Sequence, residues 1–256
     1  MELRNIMKLA HLILSAFLVF ALFSCSKRDK TDTNLTVRID SLLATVPDFS
    51  GVILVAENGA PLYNKAFGLR SVENQIPLET GDIFELASVS KQFTSMIIMM
   101  LKEEGKLSYD DSLLTYLPEL PYHGITIRHL LTHTSGIPDY QNIMDTYWDK
   151  TKVAGNDDNI AYLVRYHPPI LFKAGSSYEY SNTGYMLLAT VAEKVSGNDF
   201  TELCRTRIFK PLGMKDTDIR SAAEKKSIRN LARGHIYVKE KDRYISADSF
   251  PEFNYA

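Results

Sequence analysis

The chain has 256 residues, 45% of them hydrophobic and 23% charged, with no low-complexity tract, which is the composition of a globular protein with room for one large domain or two small ones. The 29 basic and 31 acidic residues leave a net charge of −2 and are scattered along the chain, which argues against nucleic acid as a partner. Only Cys25 and Cys204 could supply thiols, so a disulfide framework and a cysteine-based metal site are both excluded.

Residues 1–25 read as a targeting segment. Arg4 and Lys8 precede an apolar run, Leu9–Phe23, of signal-peptide length and short for a membrane span. The run ends at Ser24-Cys25, which resembles the bacterial lipobox, where the cysteine is lipidated and becomes the new N-terminus. Phe23 is larger than that pattern usually carries, so a plain cleaved signal peptide and a retained anchor helix stay open as alternatives. Residues 26–36 are polar and read as a tether, and Ser26 in place of Asp favours the outer membrane in lipoproteins of this kind. The expected location is therefore periplasmic or outer-membrane-anchored.

Next, "VRIDSLLATV" (37–46) has apolar residues at helical spacing and predicts a first helix. In "SGVILVAENGAPLYNKAFG" (50–68) two strand-like runs flank Asn58-Gly59, a β-hairpin signal. A polar connection leads to a helix over 88–104 whose centre, Met96–Leu101, is apolar all round and predicts burial on every side, with Gly105 as its stop. Residues 106–215 read as helical patterns broken by Pro and Gly, among them "SLLTYLPEL", "TIRHLLTHTSGIP", "NIAYLVRY", "TGYMLLATVAEKVSG" and "FTELCRTRIFKPLGM", the last holding Cys204 as a small packed residue. "GHIYVKEKDRYIS" (234–246) predicts a second hairpin that turns through charged residues.

Chemistry enters at "ELASVSKQF" (85–93). Serine is a poor nucleophile near neutral pH and needs a base for its proton and donors for the oxyanion. Ser88 and Lys91 stand at i and i+3, neighbours on one helix face, and the first turn adds the helix dipole and a free Ser88 N–H. The spacing is weak alone: roughly one Ser-x-x-Lys is expected by chance in a chain this long, and Ser24–Lys27 is a second, meaningless one.

"YEYSNTGYMLL" (178–188) places Tyr180 and Asn182 two residues apart on a turn before an apolar helix. A phenol there can relay a proton, and the amide can donate to a substrate carbonyl and accept from its N–H. The rival Tyr140–Asn142 ranks lower because it falls in a segment read as a loop. His129 and His133 have the i, i+4 spacing of zinc ligands, but Leu130 stands where zincins carry Glu and no third ligand sits at an obvious spacing.

Ser88-Val-Ser-Lys91, "LLTHTSGIPDY" (130–140), Tyr180-Ser-Asn182 and "FKPLGMKDT" (209–217), in this order, resemble the serine β-lactamase-related family, which includes class C β-lactamases, D-alanyl-D-alanine peptidases and esterases. The resemblance implies an α/β (α+β) fold, an antiparallel sheet flanked by helices with a helical subdomain, over residues 37–256: a sheet/helix part (37–104), a helical part (105–215) and the start of a return to the sheet (216–256). It implies an acyl-enzyme on Ser88, Lys91 as proton acceptor or as the partner that tunes Tyr180, Tyr180 as general base and then acid, and Asn182 as the substrate-amide contact. The family's third motif, Lys-Thr-Gly or His-x-Gly on a later strand, does not occur in these residues, and Lys173-Ala-Gly175 precedes Tyr180 and lies in a loop. The sheet therefore reads as incomplete, and loss of one oxyanion donor, about 3–4 kcal/mol in the barrier, predicts little or no activity for this stretch by itself. The alternative is a non-catalytic surface lipoprotein that keeps the fold for binding. The implied substrates are peptide, amide or ester acyl donors, with no metal or organic cofactor.

Overall fold

The computed structural model describes residues 30–247. Signal segment, lipobox and Cys25 lie outside the described residues. The described residues divide into two compact units, residues 30–68 with 78–80, and residues 69–77 with 81–247.

In the first unit, α1 spans Lys30–Leu43. It starts well before the predicted residue 37 and takes in most of the expected tether, a stretch that contains neither Gly nor Pro to oppose a helix. Strands β1 (Gly51–Glu57) and β2 (Ala60–Phe67) form the predicted antiparallel hairpin, with Glu57 paired to Ala60 and a register shift at Val55/Ala56. Asn58 and Gly59 both take positive φ, 50° and 79°, as the tight turn demands. Asp40 of α1 ties the hairpin down, accepting from Tyr63 Oη at 2.7 Å and Lys65 Nζ at 2.7 Å.

The second unit begins with two short strands, β3 (Leu69–Ser71) and β4 (Ile76–Pro77), and then β5 (Ile83–Phe84). A 3₁₀ turn, Ala87–Ser90, runs directly into α2 (Lys91–Glu103). Five helices follow: α3 (Ile127–Leu131), α4 (Tyr140–Tyr147), α5 (Asn156–Tyr166), α6 (Asn182–Ser196) and α7 (Phe200–Cys204). A π-helical turn, Arg205–Phe209, extends α7, and a short α8 covers Ala222–Lys225. The unit closes with β6 (Leu231–Ala232) and the second predicted hairpin, β7 (His235–Val238) with β8 (Arg243–Ser246). The strands between the hairpins are two or three residues long, too short for an alternation signal, which is why the polar connection concealed them. Among the described residues the strands make four separate two-stranded sheets, three of them antiparallel as the expected sheet is, with β5–β6 parallel.

Helices α2, α3 and α6 carry the core. Ile97, Ile98, Leu101, Leu130, Leu187, Leu188 and Val191 are fully buried together. Helix α6 packs closely on α3 at Gly184, where even a Cβ would come into van der Waals contact with Leu130. The expectation that α2 is buried on every side is corrected: Met96 and Met99 are 46% and 47% exposed. The 3.6-residue period sets these two methionines on one side of the helix and Ile97, Ile98 and Leu101 on the other. Cys204 is fully buried, and burial, with the nearby Asp199 charge, pushes its thiol up to about 11.

Candidate active site

Ser88 lies on the exposed 3₁₀ turn, at its second residue, where a backbone N–H has no acceptor within the turn. Ala87, just before it, is held at φ 44°, a left-handed conformation that a non-glycine residue adopts at a cost. Lys91 is the first residue of α2, one turn on, so its side chain returns toward the serine: Nζ donates to Ser88 Oγ at 3.2 Å.

The other wall is the turn before α6. Ser181 is the N-cap of α6, its hydroxyl accepting from Gly184 N. That cap fixes the residues on either side of it, and both point at the Ser88–Lys91 pair. The Tyr180 hydroxyl donates to Ser88 Oγ at 2.6 Å, and Asn182 Oδ1 accepts from Lys91 Nζ at 2.8 Å. The four residues singled out in the sequence thus form one connected set, Tyr180–Ser88–Lys91–Asn182, with its halves about ninety residues apart in the chain.

The electrostatics favour a proton-accepting phenol. Burial raises the Tyr180 pKa, and the Asp139 charge adds to that. Hydrogen bonding with Lys91 and Ser88, and the Lys91 charge 4.9 Å from the ring centroid, outweigh both and leave Tyr180 below its ordinary value.

A third segment, the loop His133–Asp139, holds the Tyr180–Asn182 turn from behind. His133 Nδ1 accepts from the Ser181 backbone N–H at 3.2 Å. Its ring lies against Tyr180 at 4.7 Å and Tyr185 at 5.1 Å between centroids. Burial, and then the Lys91 charge, lower the His133 pKa, so the ring is held in its neutral form. Asp139 Oδ2 accepts from both Asn182 N (2.9 Å) and Asn182 Nδ2 (3.1 Å). The loop follows its own tight course: Gly136, at φ 73°, leaves room for the Phe172 carbonyl oxygen, which a Cβ would meet at 2.2 Å.

The histidine pair is not arranged for zinc. Helix α3 ends at Leu131 and His133 takes φ 56°, so the i, i+4 spacing does not place both rings on one helix face. His129 Nδ1 instead accepts from Thr126 N at 3.2 Å. No cluster of three or more His, Cys, Asp or Glu suited to a metal occurs among the described residues. Tyr140–Asn142, read as part of a loop, begins helix α4; Tyr140 is buried, and its N–H donates to Thr183 Oγ1 at 2.7 Å. Sequence reasoning assigned no place in the site to His133 or Asp139. One signal was available: Asp139 precedes Tyr140, Ile143, Met144 and Tyr147, a helix start followed by i, i+3, i+4, i+7 apolar spacing.

Comparison with known proteins agrees with this architecture. The β-lactamase family model matches residues 39–235. Penicillin-binding protein 4* of Bacillus subtilis is 41% identical over 210 residues, covering 81% of this chain and 46% of that protein. Protein flp of Staphylococcus aureus strain MW2 is 32% identical over 171 residues, 64% of this chain and 34% of its own length. Among solved structures, a penicillin-binding protein from Bacillus halodurans superposes with a TM-score of 0.70 at 28% identity, covering 80% of this chain and 64% of that one. The octameric penicillin-binding protein homologue from Pyrococcus abyssi gives 0.66 at 30% identity, covering 85% and 50%. The chain spans less than half the length of the curated relatives it matches. By fold and by sequence it belongs to the β-lactamase family, a family of serine hydrolases.

Proposed function

We propose that the protein is a serine hydrolase that forms an acyl-enzyme on Ser88 with amide, peptide or ester substrates. The observation that carries this reading is the pair of hydrogen bonds converging on Ser88 Oγ, from Tyr180 and from Lys91. In the reacting form Tyr180 is the phenolate, which its lowered pKa favours; it takes the Ser88 proton as Oγ attacks the carbonyl carbon. The Ser88 N–H donates to the oxyanion of the tetrahedral intermediate. As the intermediate collapses, the proton passes from Tyr180 to the departing amine or alcohol. Water then attacks the acyl-enzyme ester carbonyl and gives its proton to Tyr180, which passes it to Ser88 Oγ as the acid leaves, so that both residues return to their starting forms. Lys91 keeps a positive charge beside the phenol throughout, and Asn182 offers its amide to the acyl group.

That relatives bear the name penicillin-binding protein supports a β-lactam among the acyl donors of this protein. An exported chain tethered through Cys25 would meet peptidoglycan peptides, β-lactams and small esters. The test is to expose the protein as its gene encodes it to a fluorescent penicillin and to an activated ester, beside Ser88→Ala. Covalent labelling or ester turnover that disappears in Ser88→Ala is expected. No reaction with any acyl donor, or reaction undiminished in the variant, would refute the assignment.

A further inference from the structure

We propose that Asp139 is a positioning residue that decides which end of the Asn182 amide faces Lys91, and through Lys91 holds the base side of the site against Ser88. The inference rests on the reading of Ser88 as nucleophile.

The Asn182 amide lies between two opposite charges. Its Nδ2 donates to Asp139 Oδ2 at 3.1 Å, and its Oδ1 accepts from Lys91 Nζ at 2.8 Å. A carboxylate only accepts and an ammonium only donates, so one orientation of the amide satisfies both neighbours. Rotating the amide by half a turn would set N–H against the ammonium and C=O against the carboxylate. Two charge-assisted bonds, the stronger kind, would be lost together. The backbone N–H of Asn182 also donates to Asp139 Oδ2, at 2.9 Å, so the same oxygen anchors both ends of the residue. Lys91 Nζ, held by Asn182 Oδ1, is the atom that reaches Ser88 Oγ at 3.2 Å. The chain of contacts runs Asp139, Asn182, Lys91, Ser88, and Asp139 reaches the nucleophile only through the other two.

Asp139 also caps α4, but with its other oxygen: Oδ1 accepts from Gln141 N at 3.1 Å. The two duties can be separated. Asparagine caps a helix as well as aspartate does. After Asp139→Asn, however, a side chain that keeps its oxygen on Gln141 N must turn an NH2 toward Asn182, and donor would face donor.

The experiment compares acylation by a fluorescent penicillin in the gene's full product and in Asp139→Asn, Asp139→Ser, Asn182→Ala, the double variant Asp139→Asn/Asn182→Ala, and Ser88→Ala, with thermal unfolding of each. Asp139→Asn and Asp139→Ser, both good caps, keep the start of α4 and should lose only the contact to Asn182, a modest and similar drop in melting temperature for both. The acylation rate at saturation should fall about tenfold to a hundredfold, the scale of a misplaced reacting group, with little change in half-saturation. In the Asn182→Ala background, Asp139→Asn should cost nothing further, since its route to Lys91 is gone. Wild-type rates in both Asp139 variants would overturn the inference. So would a rate loss that tracks the melting temperature, or one that multiplies in full with Asn182→Ala. If Ser88→Ala is labelled normally, the nucleophile reading has failed; if it is dead while Asp139→Asn acylates normally, only this inference has.

Discussion

The turn carrying Ser88 and the turn carrying Asn182 meet at Lys91, and the chain holds them in different ways. The Asn182 turn is fastened at every residue: Ser181 to His133, Asn182 to Asp139, and Thr183 Oγ1 between Tyr140 N (2.7 Å) and the Pro138 carbonyl (2.9 Å). Ser181 and Thr183 are buried. The 3₁₀ turn of Ser88 has no buried residue, and a strained alanine leads into it. One wall is rigid and sunk in the helical core; the other offers its hydroxyl on an exposed, conformationally costly turn. Sites that need close placement of polar groups and access to the reacting atom combine these two properties.

The difference can be broken from either side. The largest effect is expected where the two turns touch. Tyr180→Phe keeps the ring against His133 and removes the hydroxyl that this wall sends to Ser88, and acylation should slow by about 10²–10⁴-fold, read as a rate of penicillin labelling, with the melting temperature unchanged. Next comes the rigid wall. Thr183→Val keeps the shape of a fully buried side chain but removes the partner of the Tyr140 N–H and of the half-buried Pro138 carbonyl, at up to about 1–3 kcal/mol for each orphaned group, and thermal unfolding should report a clear loss. The smallest effect belongs to the exposed turn. Ala87→Gly relieves a left-handed alanine and should stabilise the fold by about 1 kcal/mol, seen as a modest rise in melting temperature. A stability loss there would mean that φ 44° is not the strained element it is taken to be.

These contrasts also explain what could be read from the sequence. Ser88 and Lys91 were legible because one turn of chain relates them, and Tyr180 and Asn182 because a single turn before an apolar helix holds both. Hairpins announced themselves through Asn58-Gly59 and through the charged turn after Val238. His133 and Asp139 were not legible as parts of the site. Their contacts to Ser181 and Asn182 span more than forty residues, and the loop between them is shaped by the left-handed His133 and Gly136 rather than by any period. Helix α4 was hidden for a related reason: its cap, Asp139, sits beside Pro138 in what reads as a loop. Burial of α2 was overestimated because an unbroken apolar run does not say which of its faces the fold will cover.

The most direct test of the central claim is to locate the acyl group itself. After brief exposure of the gene's full product to penicillin, trypsin releases residues 71–91 as one peptide, SVENQIPLETGDIFELASVSK, which contains Ser71, Ser88 and Ser90. Fragmentation in the mass spectrometer distinguishes the three. The added mass is expected on Ser88. The same mass on Ser90, on any other residue, or on none would contradict it.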